Sequence, residues 1–358
     1  MFSQLRDFYR NKKVLITGHT GFKGSWLSLW LSEIGAEVIG FSLDPPTSPS
    51  HFEICGLKKR MVPIRGDIRD LGALRRVVSD YSPEVVFHLA AQSLVRRSYR
   101  EPVDTFGTNV MGTVNLLEAC RQTSSVRVVI NVTSDKCYEN KEWVWGYRED
   151  DAIGGHDPYS GSKGCAELVT TAYARSYFHE AGQPGPRKAL ATVRAGNVIG
   201  GGDWAEDRLI PDCIKALSAH APIIVRNPMS VRPWQHVLEP LCGYLMLAVR
   251  MHAAPAELSG AWNFGSNDDS FITVGAMVEQ VAQQWGEGNI DSRPPDPALH
   301  EAHVLRLDSS KARTVLGWKP RWDVRTSVTK TVEWYRRHLA GEDMLAVSKE
   351  QIAAYAGH

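Results

Sequence analysis

The chain has 358 residues, 43% of them hydrophobic and 23% charged, with a formal net charge of +1. That balance describes an ordinary globular protein with room for a large core, as one big domain or two closely joined ones, and it gives no support to a bulk electrostatic partnership with nucleic acid or a membrane. Six scattered cysteines, Cys55, Cys120, Cys137, Cys165, Cys213 and Cys242, form no C-x-x-C pair, so no metal site or disulfide scaffold is expected and a reducing compartment fits. The first residues, Met1 to Asp7, carry charges of both signs and no long apolar run, unlike a signal peptide. No segment is apolar enough to span a bilayer, so the cytoplasm is the expected location.

Val14-Leu15-Ile16-Thr17 is an apolar run stopped by glycine and predicts a buried parallel strand. Gly18-His19-Thr20-Gly21-Phe22-Lys23-Gly24 follows. Its glycines, Gly18, Gly21 and Gly24, permit a tight turn and close backbone approach, and the helix opening at Phe22 would point its N-terminus at a pyrophosphate. G-x-x-G-x-x-G is a weak pattern alone; its place after a buried strand makes dinucleotide binding the expectation. Lys23 either touches phosphate or is solvated. Trp26, Leu27, Trp30, Leu31 and Ile34 then recur at helical spacing on one face. A second strand, Val38 to Phe41, ends near Asp44, whose carboxylate suits an adenosine ribose and repels a 2′-phosphate, favouring NAD over NADP. The bland reading of Asp44 is a loop aspartate before Pro45-Pro46.

Two more strands are predicted at Val85–Leu89 and Val128–Val132, with a helical pattern from Val110 to Cys120 between them. This rhythm means an α/β fold with a Rossmann-type doubly wound parallel sheet. A long helix runs from about Tyr159 to near Phe178, and Ala191-Thr192-Val193-Arg194 reads as a further strand. Beyond Gly200 the rhythm breaks into a Gly-Gly-Gly-Asp-Trp turn, several prolines and a loop-rich stretch, Asp291–Pro297. The expected organisation is a nucleotide-binding domain over 1–195, with later sheet strands returning near 235–265. A smaller interleaved lobe covers 196–341, and a mildly helical tail covers 342–358.

Tyr159 and Lys163 are four apart and share a helix face. The lysine ammonium and a nicotinamide cation would both favour phenolate, so Tyr159 can take a proton from a sugar hydroxyl as hydride leaves. Ser134, at the end of a buried strand, can hydrogen-bond the same oxygen. Asp135 and Lys136 add an acid and a cation beside this oxidation site. A 4-epimerase needs neither; an enzyme that also expels a hydroxyl needs a protonated acid, which burial of Asp135 would provide.

The loop, Asp67-Ile68, Leu89-Ala90-Ala91-Gln92, Asn109-Val110-Met111-Gly112-Thr113, Ser134 and the Tyr159/Lys163 pair together resemble the extended short-chain dehydrogenase/reductases. Within them, Ser134-Asp135-Lys136-Cys137-Tyr138, the run Gly154 to Tyr159, the run Arg194 to Trp204, Ile210-Pro211, the run Arg232 to Val237 and Pro320-Arg321-Trp322 resemble the CDP-D-glucose 4,6-dehydratase branch of NAD-dependent nucleotide-sugar enzymes. The resemblance covers nearly the whole chain. It implies NAD held by the glycine loop with Phe22, Lys23, Asp44, Asp67, Ile68, Leu89, Ala90, Ala91, Asn109, Tyr159 and Lys163. It implies catalysis by Ser134, Asp135, Lys136, Tyr159 and Lys163, and a CDP-D-glucose pocket in the C-terminal lobe. Arg194, Asn197, Arg208, Arg232 and Asn263 are its substrate-binding candidates, and a homodimer built on paired helices is implied as well. Two roles are open to Lys136, base at C5 or stabiliser of the enolate; the similar dTDP-glucose enzymes carry glutamate there. The rival readings are a 4-epimerase, a dehydratase of another NDP-hexose and a non-enzymatic NAD-binding scaffold.

Overall fold

The computed structural model describes residues 2–178, 187–267, 270–292 and 304–357. Its strands are β1 (Lys13–Thr17), β2 (Glu37–Ser42), β3 (Val62–Arg65), β4 (Val85–His88), β5 (Val128–Val132), β6 (Ala189–Ala195), β7 (Asn197–Ile199), β8 (Ile223–Val225), β9 (Val231–His236), β10 (Gly260–Phe264), β11 (Phe271–Thr273) and β12 (Ile290–Ser292). Seven of them form one sheet in the order β10-β6-β5-β4-β1-β2-β3, with every neighbouring pair parallel. β7, β9 and β11 make a second, small sheet, and β8 pairs with β12. Of the strands expected to return near 235–265, β10 does rejoin the main sheet, whereas the stretch before residue 237 pairs with β7 and β11 instead. In the stretch expected to be loop-rich, Asp291 and Ser292 belong to β12, and residues 293–297 lie outside the described residues.

The central strands are apolar on both faces because helices cover both faces. Val14, Ile16, Val85, Phe87, Val128 and Ile130 feed one core, while Leu15, Val86 and Val129 feed the other. Each such side chain contributes roughly 1.5–3 kcal/mol on burial. Strand order reverses between β1 and β4, which opens a crevice at their carboxyl ends, the place where doubly wound sheets take ligands.

The helix Phe22–Glu33 is buried all round from Gly24 to Leu31, rather than along one face. Its outer side is covered by the C-terminal helix Met344–Ala356, which buries Met344, Val347, Ile352 and Tyr355. Trp30 meets Tyr355 edge to face at 5.7 Å between ring centroids. The Gly-Gly-Gly-Asp-Trp turn is wedged into the same region. Trp26 Nε1 donates to the Gly201 carbonyl at 2.9 Å, and a Cβ on Gly201 would sit 2.1 Å from the Trp334 ring, so no side chain fits there. His51 shares hydrogen bonds with Ser25 Oγ at 2.9 Å and Ser348 Oγ at 3.2 Å, and Trp334 Nε1 donates to the same Ser348 oxygen at 2.9 Å. One buried relay thus joins the glycine-loop helix, the short helix His51–Ile54 after β2 and the C-terminal helix.

Candidate active site

The crevice is the mouth of a cavity of about 1360 Å³, bounded by the glycine loop, the ends of β4 and β5, the helix Pro158–Tyr173 and the loops after β6 and β8. Gly18 has φ +75°, and a Cβ there would lie 2.6 Å from the Ala90 amide nitrogen; a Cβ on Gly24 would lie 2.1 Å from the Gly18 carbonyl oxygen. Glycine at both positions lets loop, strand end and helix touch by backbone alone. Gly21 is the N-cap of the helix Phe22–Glu33 and makes no side-chain cap hydrogen bond. Phe22 and Lys23 follow it on the cavity wall, so the helix's leading N–H groups face space that a diphosphate would fill. Leu89, Ala90 and Ala91 form the opposite wall, and Asp67 and Ile68 line one end. Asp44 lies exposed at the rim, where both its oxygens accept from Arg65 Nε at 2.9 and 2.8 Å; those bonds hold its carboxyl below the usual range. The cradle fits a dinucleotide.

Two residues past β5, Ser134 caps one turn of 3-10 helix over Asp135–Cys137; Ser134 Oγ accepts from the Lys136 amide at 3.2 Å and donates to Asp135 Oδ1 at 3.0 Å. The turn brings Asp135 and Lys136 to the cavity wall, Asp135 buried and Lys136 half-buried. The facing helix starts at Pro158, with Asp157 as its N-cap accepting from the Ser160 amide at 2.9 Å. Ser98 Oγ accepts from the Tyr159 amide at 3.1 Å. Tyr159 and Ser134 line the same cavity, and Lys163 Nζ donates to the Val132 carbonyl at 3.2 Å.

Burial dominates the electrostatics here. It pushes the Asp135 carboxyl up, against the pull of Lys136, the Ser134 hydrogen bond, Lys23 and Arg232. It pushes the Tyr159 phenol up to about 12, with the Ser134 hydrogen bond working the other way. It brings Lys163 down to about 8 against the attraction of Glu167, and Lys23 down to about 8, helped by Arg208. Burial thus favours the protonated form of Asp135 and the neutral forms of Lys23 and Lys163 in this one cavity.

At the far end, Asn197, Arg208 and Arg232 reach the cavity. Arg208 lies 3.7 Å from Asp203 and 3.4 Å from Ser93 Oγ, across the mouth.

A protein-family model described as GDP-mannose 4,6 dehydratase matches residues 15–331. The chain belongs to that family. CDP-glucose 4,6-dehydratase of Salmonella typhimurium is 52% identical over 350 residues, covering 98% of this chain and 98% of that protein. Among solved structures, the epimerase Mth375 of Methanothermobacter thermautotrophicus superposes with a TM-score of 0.80 at 23% identity, covering 94% of this chain and 96% of that one. A dTDP-glucose 4,6-dehydratase from Bacillus anthracis, solved in complex with NAD, gives 0.74 at 20% identity, covering 93% and 99%. An epimerase and a dehydratase share this fold, so the fold does not choose the reaction; the site must.

In this member of the dehydratase family, three residues expected in the site lie behind its wall. Arg194 is buried and committed elsewhere: Nε and Nη2 each donate to Glu167 at 2.8 Å, and Nη1 donates to Tyr138 Oη at 2.5 Å and the Glu149 carbonyl at 3.0 Å. Four of its five N–H groups are thus spent inside the protein, and its side chain does not line the cavity. Asn263 spends its side chain on Tyr138 and on the carbonyls of Tyr147 and Asp308. Asn109 Oδ1 accepts from the Gln92 amide at 2.8 Å and its Nδ2 donates to Ser162 Oγ at 2.8 Å, so it braces the Tyr159 helix rather than meeting a dinucleotide. Sequence reasoning missed Glu167 and Ser98. Glu167 had a visible signal: Tyr159, Lys163 and Glu167 follow at i, i+4 and i+8 on one helix face. Ser98 had none, since its contact spans 61 residues.

Proposed function

We propose that the chain is a CDP-D-glucose 4,6-dehydratase, an NAD-dependent hydro-lyase that converts CDP-D-glucose to CDP-4-keto-6-deoxy-D-glucose and water, a step of deoxysugar biosynthesis. The observation that carries the reading is the buried acid: Asp135, pushed towards its neutral form, stands beside Ser134 and Tyr159 in one cavity. Epimerisation at C4 has no use for it. The 52% identity to the Salmonella enzyme, over nearly all of both chains, supports CDP as the nucleotide.

The glycine cradle, Gly18, Gly21 and Gly24, would hold NAD, which when bound would supply a reversible hydride acceptor beside the sugar. Tyr159 takes the proton of the C4 hydroxyl, with Ser134 holding that oxygen and Lys163 supplying positive charge from behind. The resulting ketone makes the C5 hydrogen acidic. Lys136 takes this proton or steadies the enolate, and Asp135 donates its proton to the C6 hydroxyl, which leaves as water. Hydride at C6 and a proton at C5 complete the product, with no net redox change. Arg208 and Arg232 are the candidates for the diphosphate, by charge and fork geometry, and Asn197 for the sugar.

A homodimer on paired helices belongs to the same proposal. Val103 (85% exposed), Met111 (52%) and Leu168 (62%) stand out on neighbouring helices, an apolar face that a second copy would cover.

The deciding experiment incubates the pure protein with NAD and CDP-, dTDP-, UDP- and GDP-glucose, and follows product mass. Loss of one water from the CDP sugar, with no net change in cofactor, is expected. A C4 epimer at unchanged mass, or preference for another nucleotide, overturns the reading.

A further inference from the structure

We propose that Glu167, Arg194, Tyr138 and Asn263 are positioning residues that clamp the Ser134-Asp135-Lys136 segment at both ends. The inference rests on the functional reading above, and it assigns work to three residues that do not reach the cavity, Glu167, Arg194 and Asn263.

The clamp is continuous. Thr133, just before the segment, donates through Oγ1 to Glu167 Oε1 at 2.5 Å. Glu167 also accepts from Thr192 Oγ1 at 2.7 Å and from Arg194 Nε and Nη2 at 2.8 Å each. Arg194 then donates through Nη1 to Tyr138 Oη, two residues beyond Lys136, and its guanidinium carbon lies 4.7 Å from the Tyr138 ring centroid. Tyr138 Oη in turn donates a hydrogen bond to Asn263 Oδ1 at 2.9 Å. All four are buried, with Asn263 and Tyr138 at 0% and 1% exposure and Glu167 and Arg194 at 3% each.

The arrangement is costly as a stability device. A buried ion pair loses hydration that its attraction barely offsets, and an apolar pair of similar volume would hold as well. What the pair supplies is registry. Glu167 sits on the helix that carries Tyr159 and Lys163, Arg194 sits on β6, and Thr133 and Tyr138 bracket the segment. One bidentate contact therefore fixes the acid and the lysine relative to the oxidation pair. The reaction needs that separation held closely, since the same sugar must present O4 to Tyr159 and O6 to Asp135 without moving.

Tyr138→Phe tests this most cleanly, because it keeps the ring and removes only the bridging hydroxyl. We expect KM for the nucleotide sugar to stay within about twofold while kcat falls roughly ten- to a hundredfold, the signature of lost geometry rather than lost binding. Deuterium entry from solvent at C5 should slow more than hydride removal from C4 in a single turnover. Arg194→Lys should show the same loss of kcat, because an ammonium cannot bridge Glu167 and Tyr138 as the fork does. Backbone amide exchange over residues 133–138 should quicken in Tyr138→Phe and stay unchanged in β1 and β4. That measurement needs no substrate, and wild-type exchange at 133–138 overturns the clamp whatever the rate. A wild-type protein inert towards CDP-glucose overturns the functional reading instead, and the exchange result still decides the clamp. Should Glu167→Gln fail to fold, Tyr138→Phe remains the deciding variant.

Discussion

Asp135 and Lys163 are driven by burial in opposite directions, and both shifts place the falling limb of activity on the alkaline side. The acid works only while protonated, so the rate should decline as pH rises through the raised Asp135 pKa. Lys163 loses its charge above about 8, which removes the cation behind Tyr159. We therefore predict a pH–kcat profile that falls with rising pH, and an Asp135→Asn variant slowed by roughly 10²–10⁴-fold that still removes the C4 hydride in a single turnover. An Asp135→Asn enzyme that dehydrates normally would end the assignment. Gly161 makes a gentler case. It lies in the helix Pro158–Tyr173, and the nearest atom to a Cβ placed there is on Phe106 at 3.8 Å. Gly161→Ala should stabilise the protein by about 0.5–1 kcal/mol in urea unfolding, since nothing must move and the unfolded chain loses freedom. At this scale the sequence was a good guide to the reacting groups and a poor one to Arg194 and Asn263. Residue type and spacing reveal what a side chain can do. They do not reveal that Glu167 or Tyr138 has already claimed its hydrogen bonds.

Strands were the most legible elements: β1, β2, β4, β5 and β6 fall where their apolar runs predict, because burial on both faces leaves a continuous signal. The helix Phe22–Glu33 was only half legible. Its outward face carries Ser25 and Ser28, whose hydroxyls donate to the Phe22 carbonyl at 2.9 Å and the Gly24 carbonyl at 2.7 Å. A polar-looking face is thereby made fit for burial, but what covers it, the helix Met344–Ala356, arrives from the other end of the chain. The relay through His51 makes this cover part of the cofactor region. Ser348→Ala would leave His51 Nε2 and Trp334 Nε1 without their shared partner. It should cost about 1–3 kcal/mol for an unsatisfied buried group. Urea unfolding measures the stability loss, and equilibrium dialysis of NAD measures any weakening of the cradle that Ser25 helps to hold. Unchanged values in both would show that the relay is ornamental.

Among the described residues, four buried histidines share one electrostatic condition. Burial lowers His51, His88 and His236 to about 3 and His19 to about 4, from an ordinary value of 6.5. Each is neutral in the fold and takes up a proton on unfolding below the unfolded value. Their stabilising contribution is present above pH 6.5 and is lost as pH falls towards 3–4. Glu239 acts the other way. Burial raises it to about 7 despite hydrogen bonds from Tyr355, Trp322 and Arg321, so its contribution is fully present below the unfolded value of 4.5 and lost as pH rises through about 7. The histidines outnumber it, and four protons taken up together correspond to a slope on the order of 5 kcal/mol per pH unit. Stability should thus fall steeply between about pH 6 and 4, read as a drop in Tm across a buffer series; a flat Tm over that range would refute the assignment of four neutral histidines.

The hydrogen bond from Trp26 to the Gly201 carbonyl, 175 residues away, bears on protein engineering. An indole on the glycine-loop helix finds its acceptor in the second half of the chain and stacks on His51, whose ring is backed in turn by Trp334 from that second half. The nucleotide-binding half is therefore not a cassette. A chimera that joins residues 1–195 to the remainder of a distant relative would have to import the Gly-Gly-Gly turn, Trp334 and Ser348 from the same parent. Otherwise it inherits an unpaired indole and a side chain where only hydrogen fits.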